Sequence, residues 1–154
     1  MSVITNKVVP VYNNAASLLD MLQPLALLGA RVYVAWVFFA AGLTKLRDWE
    51  STLFLFEEEY AVPLLSPEFA AYLATFGEVF LPILVVLGLA SRFGAIGLGI
   101  VNVVAVISLE DIAPAAFSGH VIWGLLLMLI TLWGAGKLSL DGFYSSKYSA
   151  STEN

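Results

Sequence analysis

The chain has 154 residues, of which 60% are hydrophobic and only 12% are charged, and its mean hydropathy is +0.88. Soluble domains are about 45–50% apolar and about 25% charged. This composition excludes an ordinary soluble domain, because too few polar side chains remain to cover its surface.

Residue counts exclude several kinds of cofactor and partner. The sequence contains no cysteine and one histidine, His120. Disulfides, dithiol redox chemistry, and a haem or iron–sulfur cluster held by this chain alone are therefore excluded. The consecutive carboxylates Glu57–Glu59 point in different directions on a helix, which favours a solvated acidic face, and we predict no metal site. With a net charge of -5, nucleic-acid binding is also excluded.

Long apolar runs predict an all-α integral membrane protein, a four-helix bundle. About 20 helical residues cross a hydrocarbon core. Residues 1–24 form a juxtamembrane segment, and Pro24 opens the first span. The membrane domain covers residues 25–136, with spans at residues 25–44, 69–90, 93–109 and 117–134. Residues 137–154 are expected to form a polar, frayed tail.

An amphipathic segment separates the first two spans. Trp49, Leu53, Phe56 and Tyr60 recur at helical spacing between residues 45 and 68, beside the Glu57–Glu59 acidic run. Such a segment is expected to lie at the membrane interface, on the bilayer surface.

The distribution of Lys and Arg predicts the orientation. The side holding both termini carries Lys7, Arg31, Arg92, Lys137 and Lys147. The opposite side carries Lys45 and Arg47. Because cytoplasmic loops carry an excess of Lys and Arg, both termini are predicted to be cytoplasmic.

Charged residues within the spans predict a buried polar site. A charge at the centre of a membrane helix costs about 2.5–3.5 kcal/mol, so it usually faces a partner inside the bundle. We predict that Glu78 pairs with Arg31, directly or through water, and that Asn102 is a hydrogen-bonding neighbour. This layer either locks the helix register or forms a ligand or proton site.

Three further polar residues lie at the ends of spans. His120, near the start of span four, is either an interfacial hydrogen-bonding residue or a proton relay or hydrogen-bond donor to a quinone carbonyl. Lys45 and Arg92 extend to the interface in the simplest interpretation, and they are further candidates for the same site.

Several segments resemble the DoxX family of small bacterial membrane proteins. They are Arg31 followed by FFAAGLTKLRDW (38–49), the stretch 56–92, HVIW (120–123) and GAGKLSLD (134–141). The resemblance implies a four-helix bundle in the bacterial inner membrane. Its relatives include a DoxD-type subunit of thiosulfate:quinone oxidoreductase and subunits that associate with a sulfurtransferase or a superoxide dismutase. The family's recurrent polar positions correspond here to Arg31, Lys45, Glu78, Arg92 and His120.

The sequence leaves three functions open. The first is a subunit of a membrane redox or stress-defence assembly that contacts a quinone, a molecule that needs only a few polar partners in an apolar pocket. The second is an oligomeric carrier for a small solute, proton or ion. The third is a structural anchor for a soluble enzyme. Expected partners are the lipid bilayer, other membrane or peripheral redox proteins and further copies of the chain. No residue stands in a pattern that identifies it as a nucleophile, and whether the chain catalyses a reaction stays open.

Overall fold

Helices make up almost all of the described chain. The computed structural model describes residues 8–152, and side chains of residues 8–147. The described part contains six helices and no strand: α1 Val9–Arg47, α2 Trp49–Glu58, α3 Pro67–Leu87, α4 Ser91–Ile107, α5 Pro114–Trp133 and α6 Leu140–Thr152. The predicted all-α fold is confirmed.

Four apolar helices form the bundle. α1 packs on α3, α3 on α4, α4 on α5, and α5 returns to α1. Their shared core consists of Val34, Ala35, Phe38, Val85, Ala95, Leu98, Leu127 and Ile130. Large apolar side chains also cover the outside of the bundle. An apolar core inside an apolar exterior is the arrangement expected of a bundle surrounded by lipid.

Three of these helices, α1, α3 and α5, are long and apolar enough to cross a membrane. α4 is apolar but has 17 residues, or about 25 Å of helix, which lies at the lower end of the range for a span. Four crossings therefore stay a prediction. α4 and α5 begin at Ser91 and Pro114, slightly before the predicted starts at 93 and 117.

The first helix does not begin at Pro24, and this prediction was wrong. α1 is a continuous helix of 39 residues, about 58 Å long, with Pro24 inside it. Proline removes one backbone hydrogen bond, but the other hydrogen bonds of the helix continue past it. Residues 9–26 are mostly exposed, and α1 enters the bundle core at Leu27. Lys7, which was counted for the orientation, lies outside the described residues.

The predicted amphipathic segment contains α2. Asp48 caps this helix by accepting a hydrogen bond from the Ser51 backbone N–H. Phe56 is buried against Ala70 and Ala71 of α3, and Trp49, Leu53 and Tyr60 pack around them. The apolar face therefore lies on the bundle, while Glu57–Glu59 are exposed.

The bundle has two ends, which we name by their residues. The "α2 end" contains Lys45, α2 and the loop of residues 59–66. The "Arg31 end" contains Arg31, the α3–α4 turn at Gly88–Ala90 and the α5–α6 connection at residues 134–139. Gly88 ends α3 in the left-handed conformation, with φ +68°. Part of the predicted frayed tail instead forms α6, because Asp141 fastens its first turn to the α3–α4 turn.

Candidate functional site

The six predicted site residues do not form one site. Lys45, Glu78 and His120 line a cavity towards the α2 end, and Asn102 contacts His120 beside it. Arg31 and Arg92 lie at the Arg31 end. The predicted single polar layer therefore separates into groups at two depths of the bundle.

Arg31 is held entirely by backbone carbonyl groups. Its side chain is 1% exposed. Nε donates to the Val85 carbonyl at 2.8 Å and Nη2 to the Val86 carbonyl at 2.6 Å, and Nη1 donates to the Ala135 and Leu138 carbonyls, both at 2.8 Å. The last carbonyls of a helix lack helical partners and carry partial negative charge. Arg31 thus satisfies the end of α3 and ties it to the α5–α6 connection.

The predicted Arg31–Glu78 pair was wrong. Glu78 lies seven residues before Val85, or about 10 Å along α3 from the carbonyls that Arg31 binds. Glu78 pairs instead with Lys45, and the Nζ–Oε2 distance is 2.6 Å. The sequence indicated that both charges needed partners, but it gave no sign that helix-end carbonyls would satisfy the arginine.

The Lys45–Glu78 pair is largely withdrawn from the surface. The side chains are 21% and 9% exposed respectively. α1 approaches α3 closely here, since a Cβ added at Gly42 would lie 3.1 Å from the Glu78 backbone carbon. Pro82 lies inside α3 and has no N–H, so the Glu78 carbonyl does not receive the usual helical hydrogen bond. The pair places an ammonium and a carboxylate together on the cavity wall.

Asn102 and His120 form a second polar pair that joins α4 to α5. Asn102 Nδ2 donates to the His120 carbonyl oxygen at 2.9 Å, and Oδ1 lies 2.8 Å from His120 Nδ1. A carbonyl can only accept, so the amide nitrogen must face it and the amide oxygen must face Nδ1. Nδ1 therefore carries the proton, and a neutral His120 presents Nε2 as a hydrogen-bond acceptor.

The cavity itself is apolar with a few polar groups. Its volume is about 570 Å³, and its lining includes Phe38, Ala74 and Val101 from the bundle helices. Trp123 also lines it, in edge-to-face contact with His120 at 4.8 Å between ring centres. Ligand sites of about 300–1,000 Å³ typically combine an apolar wall with a few placed polar groups. This cavity has that composition.

The loop of residues 59–66 also lines the cavity, which was not predicted from the sequence. Tyr60, Val62 and Pro63 line it, and the Ala61 N–H donates to the Ser108 carbonyl at the end of α4 at 2.9 Å. Burial raises the pKa of Tyr60, and the charges of Glu59 and Glu78 raise it further. Its phenol therefore stays protonated. The helical spacing of Tyr60 predicted that it belongs to an apolar helix face, but neither its packing on the bundle nor its place in this wall was predicted.

Arg92 lies elsewhere, on the surface of the Arg31 end. It donates to the Leu132 carbonyl at 3.3 Å and does not reach the cavity. Within the described part of the chain, no cluster of His, Asp and Glu residues could hold a metal ion.

Comparisons with known proteins identify the family. The DoxX family profile matches residues 26–111. An uncharacterized protein of Haemophilus influenzae is 29% identical over 132 residues, which cover 80% of this chain and 85% of that protein. No solved structure matches significantly. With more than half of its length matched by the family profile, this chain belongs to the DoxX family of membrane proteins.

Proposed function

We propose that the cavity binds a quinone and that the protein is a subunit of a redox or stress-defence assembly in the bacterial inner membrane. The observation that carries the proposal is an apolar cavity of about 570 Å³ with the Lys45–Glu78 pair and His120 in its wall. Such a cavity suits a molecule that dissolves in lipid and ends in a few polar oxygens.

The polar groups of the wall complement both redox forms of a quinone. The Lys45 ammonium has three N–H groups, of which Glu78 uses one. The protonated Tyr60 phenol is a further donor. His120 Nε2 accepts hydrogen bonds, as does the Glu78 carboxylate. Quinone oxygens require donors and quinol hydroxyl groups require an acceptor, so one wall serves both.

A quinone carries two electrons and two protons between its oxidised and reduced forms. The sequence offers no cysteine to hold an electron-transferring cluster. We therefore expect the electrons to come from, or go to, a partner protein. His120 and Glu78 are the groups placed to exchange protons with the ligand.

Quinone retained by the purified protein tests the proposal. Protein extracted from native membrane in mild detergent is expected to carry quinone in near-stoichiometric amount, measured in an organic extract by absorbance and mass spectrometry. His120→Leu removes one hydrogen bond and should weaken binding of added quinone up to about tenfold. Arg47→Gln, an exposed cation at the same end of the bundle, is the control and should bind normally. Absence of quinone from the extract, together with no rise in melting temperature on adding it, would reject the proposal.

Two other functions would give different results. An oligomeric carrier would move a solute or protons into vesicles, and Glu78→Gln would abolish that transport. An anchor would lose its soluble partner when residues 141–154 are deleted or Glu57–Glu59 are neutralised. Either result without quinone binding would replace the proposal.

We further propose that both termini face the cytoplasm. Reporter fusions after Asn154 and within Glu57–Glu59 test this orientation. A cytoplasmic signal from the first and a periplasmic signal from the second are expected, and the reverse pattern would overturn it.

A further inference from the structure

A second concave surface lies at the Arg31 end, away from the quinone cavity. We name it the basic groove. It has a volume of about 900 Å³ and runs between the start of α4 and the α5–α6 connection. Its wall contains two cations and three aromatic rings: Arg92, Lys137, Phe93, Trp133 and Phe143.

Among the described residues, neither cation of the groove has an acidic partner. The one ion pair within the described residues joins Lys45 to Glu78 at the other end of the bundle. The Arg92 guanidinium bonds to a backbone carbonyl and lies against Gly134, where an added Cβ would be 3.5 Å from Nε. Lys137 is exposed. Arg92 is thus held in place by the backbone while its charge stays available.

Asp141 also lines the groove, but its carboxylate is hydrogen-bonded to the start of α4. Its oxygens accept hydrogen bonds from the Ala90 and Ser91 backbone N–H groups at 3.0 and 3.1 Å and from the Ser91 hydroxyl at 2.8 Å. The charge of the buried Arg31 acts on it as well. Within the described part of the chain, the charges of Arg92 and Lys137 therefore have no acidic partner.

The position of Trp133 at the end of α5 indicates that this groove lies at the headgroup level of a bilayer. Phe93 is 64%, Trp133 is 60% and Phe143 is 61% exposed. Trp133 ends the apolar helix α5, and Phe93 lies in the first turn of α4. Exposed Trp side chains at the ends of membrane helices typically lie at the boundary between acyl chains and headgroups. Cations at the same level, such as Arg92 and Lys137, are expected to contact lipid phosphate groups.

We propose that the basic groove binds an anionic phospholipid. Arg92 and Lys137 contact the headgroup phosphate, and the rings of Phe93 and Trp133 contact the upper part of the acyl chains. Basic pockets between membrane helices recognise anionic headgroups in this way. The proposal is independent of quinone binding, since the two surfaces lie at opposite ends of the bundle.

Lipid exchange in detergent tests the proposal. Purified protein is incubated with phosphatidylglycerol or with phosphatidylcholine of the same acyl chains, and native mass spectrometry measures bound lipid. Wild type is expected to retain phosphatidylglycerol preferentially, and added salt should reduce the preference. Each cation is expected to contribute about fivefold to affinity, so R92Q with K137Q should lose about 25-fold.

The controls separate a specific site from general charge attraction. Lys147→Gln removes an exposed cation outside the groove and should retain phosphatidylglycerol as wild type does. Inorganic phosphate alone should not raise the melting temperature. Equal retention of both lipids by wild type would overturn the proposal even if the double variant failed to fold. An equal loss in Lys147→Gln, or stabilisation by inorganic phosphate alone, would also overturn it.

Discussion

Four polar side chains predicted for the site are satisfied in three different ways. Arg31 uses helix-end carbonyls, Glu78 uses an ammonium, and Asn102 and His120 use each other. Each solution matches donors with acceptors, as an apolar environment demands. The buried hydroxyl of Thr75, in contrast, has no partner among the described residues.

Gly88 is the glycine at which an added methyl group should destabilise the protein most. Its φ is +68°, and an added Cβ would lie 2.7 Å from Arg31 Nη2 and overlap Ser139 Cβ. We expect Gly88→Ala to lower the free energy of unfolding by about 2–5 kcal/mol, from backbone strain and overpacking. Thermal unfolding in detergent measures this. Gly99→Ala, whose Cβ meets nothing within 4 Å, is the control and should be neutral or slightly stabilising. Equal melting temperatures for Gly88→Ala and wild type would contradict the described Arg31 contacts.

The Lys45–Glu78 pair predicts energetic coupling between these two positions. Lys45→Met leaves the Glu78 carboxylate without its partner. We expect the free energy of unfolding to fall by an amount near the lower end of about 3–5 kcal/mol, because Lys45 is partly exposed. Combining it with Glu78→Gln should recover much of that loss. A double-mutant cycle measures the coupling, and Arg92→Gln with Glu78→Gln, two distant positions, should be additive. Additive effects at Lys45 and Glu78 would show that the pair is not formed.

At the scale of elements, the start of α6 fastens the α3–α4 turn. The Asp141 N–H donates to the Gly88 carbonyl at 2.9 Å, and its carboxylate accepts from the first residues of α4. A carboxylate at a helix N-terminus is favourable, since the unpaired N–H groups there carry partial positive charge. Arg31 binds the neighbouring segment of the same α5–α6 connection. Four helices therefore meet at this joint.

This joint should weaken in acid. Burial raises the pKa of Asp141, but hydrogen bonds from Ser91 and Ala90 and the charge of Arg31 outweigh it, so the net pKa lies below its usual value. A lowered folded-state pKa adds stability above the unfolded value of about 3.9, and that stability is lost as the pH falls through the folded value. Asp141→Asn should therefore melt below wild type at pH 7, and the gap should close below pH about 4. Melting curves over this pH range measure it, and a gap independent of pH would contradict the assigned role.

At the scale of the whole molecule, the bundle has the proposed quinone cavity near one end and the basic groove at the other. Apolar run lengths predicted the bundle, and helical spacing predicted that α2 has an apolar face. The sequence assigned that face to the bilayer surface, whereas it packs on α3. The helix ends were harder to predict. Proline is common in the first turn of a helix, yet Pro24 lies inside α1. The contacts of Asp141 at the start of α6 are with residues 50 and 51 positions earlier in the chain. The same limit hid the partners of Arg31 and Glu78, because the relative depth of two helices depends on close contacts such as that at Gly42.

Photolabelling with an azido-quinone tests the central claim most directly. Wild-type protein in lipid nanodiscs is illuminated with the probe, and the labelled peptides are mapped by mass spectrometry. Labels are predicted on the cavity walls, in peptides that contain Lys45, Tyr60 or His120, and excess unlabelled quinone should suppress them. Labels confined to the outward faces of α4 and α5, such as Ile96 and Leu125, or labels that unlabelled quinone does not suppress, would contradict it.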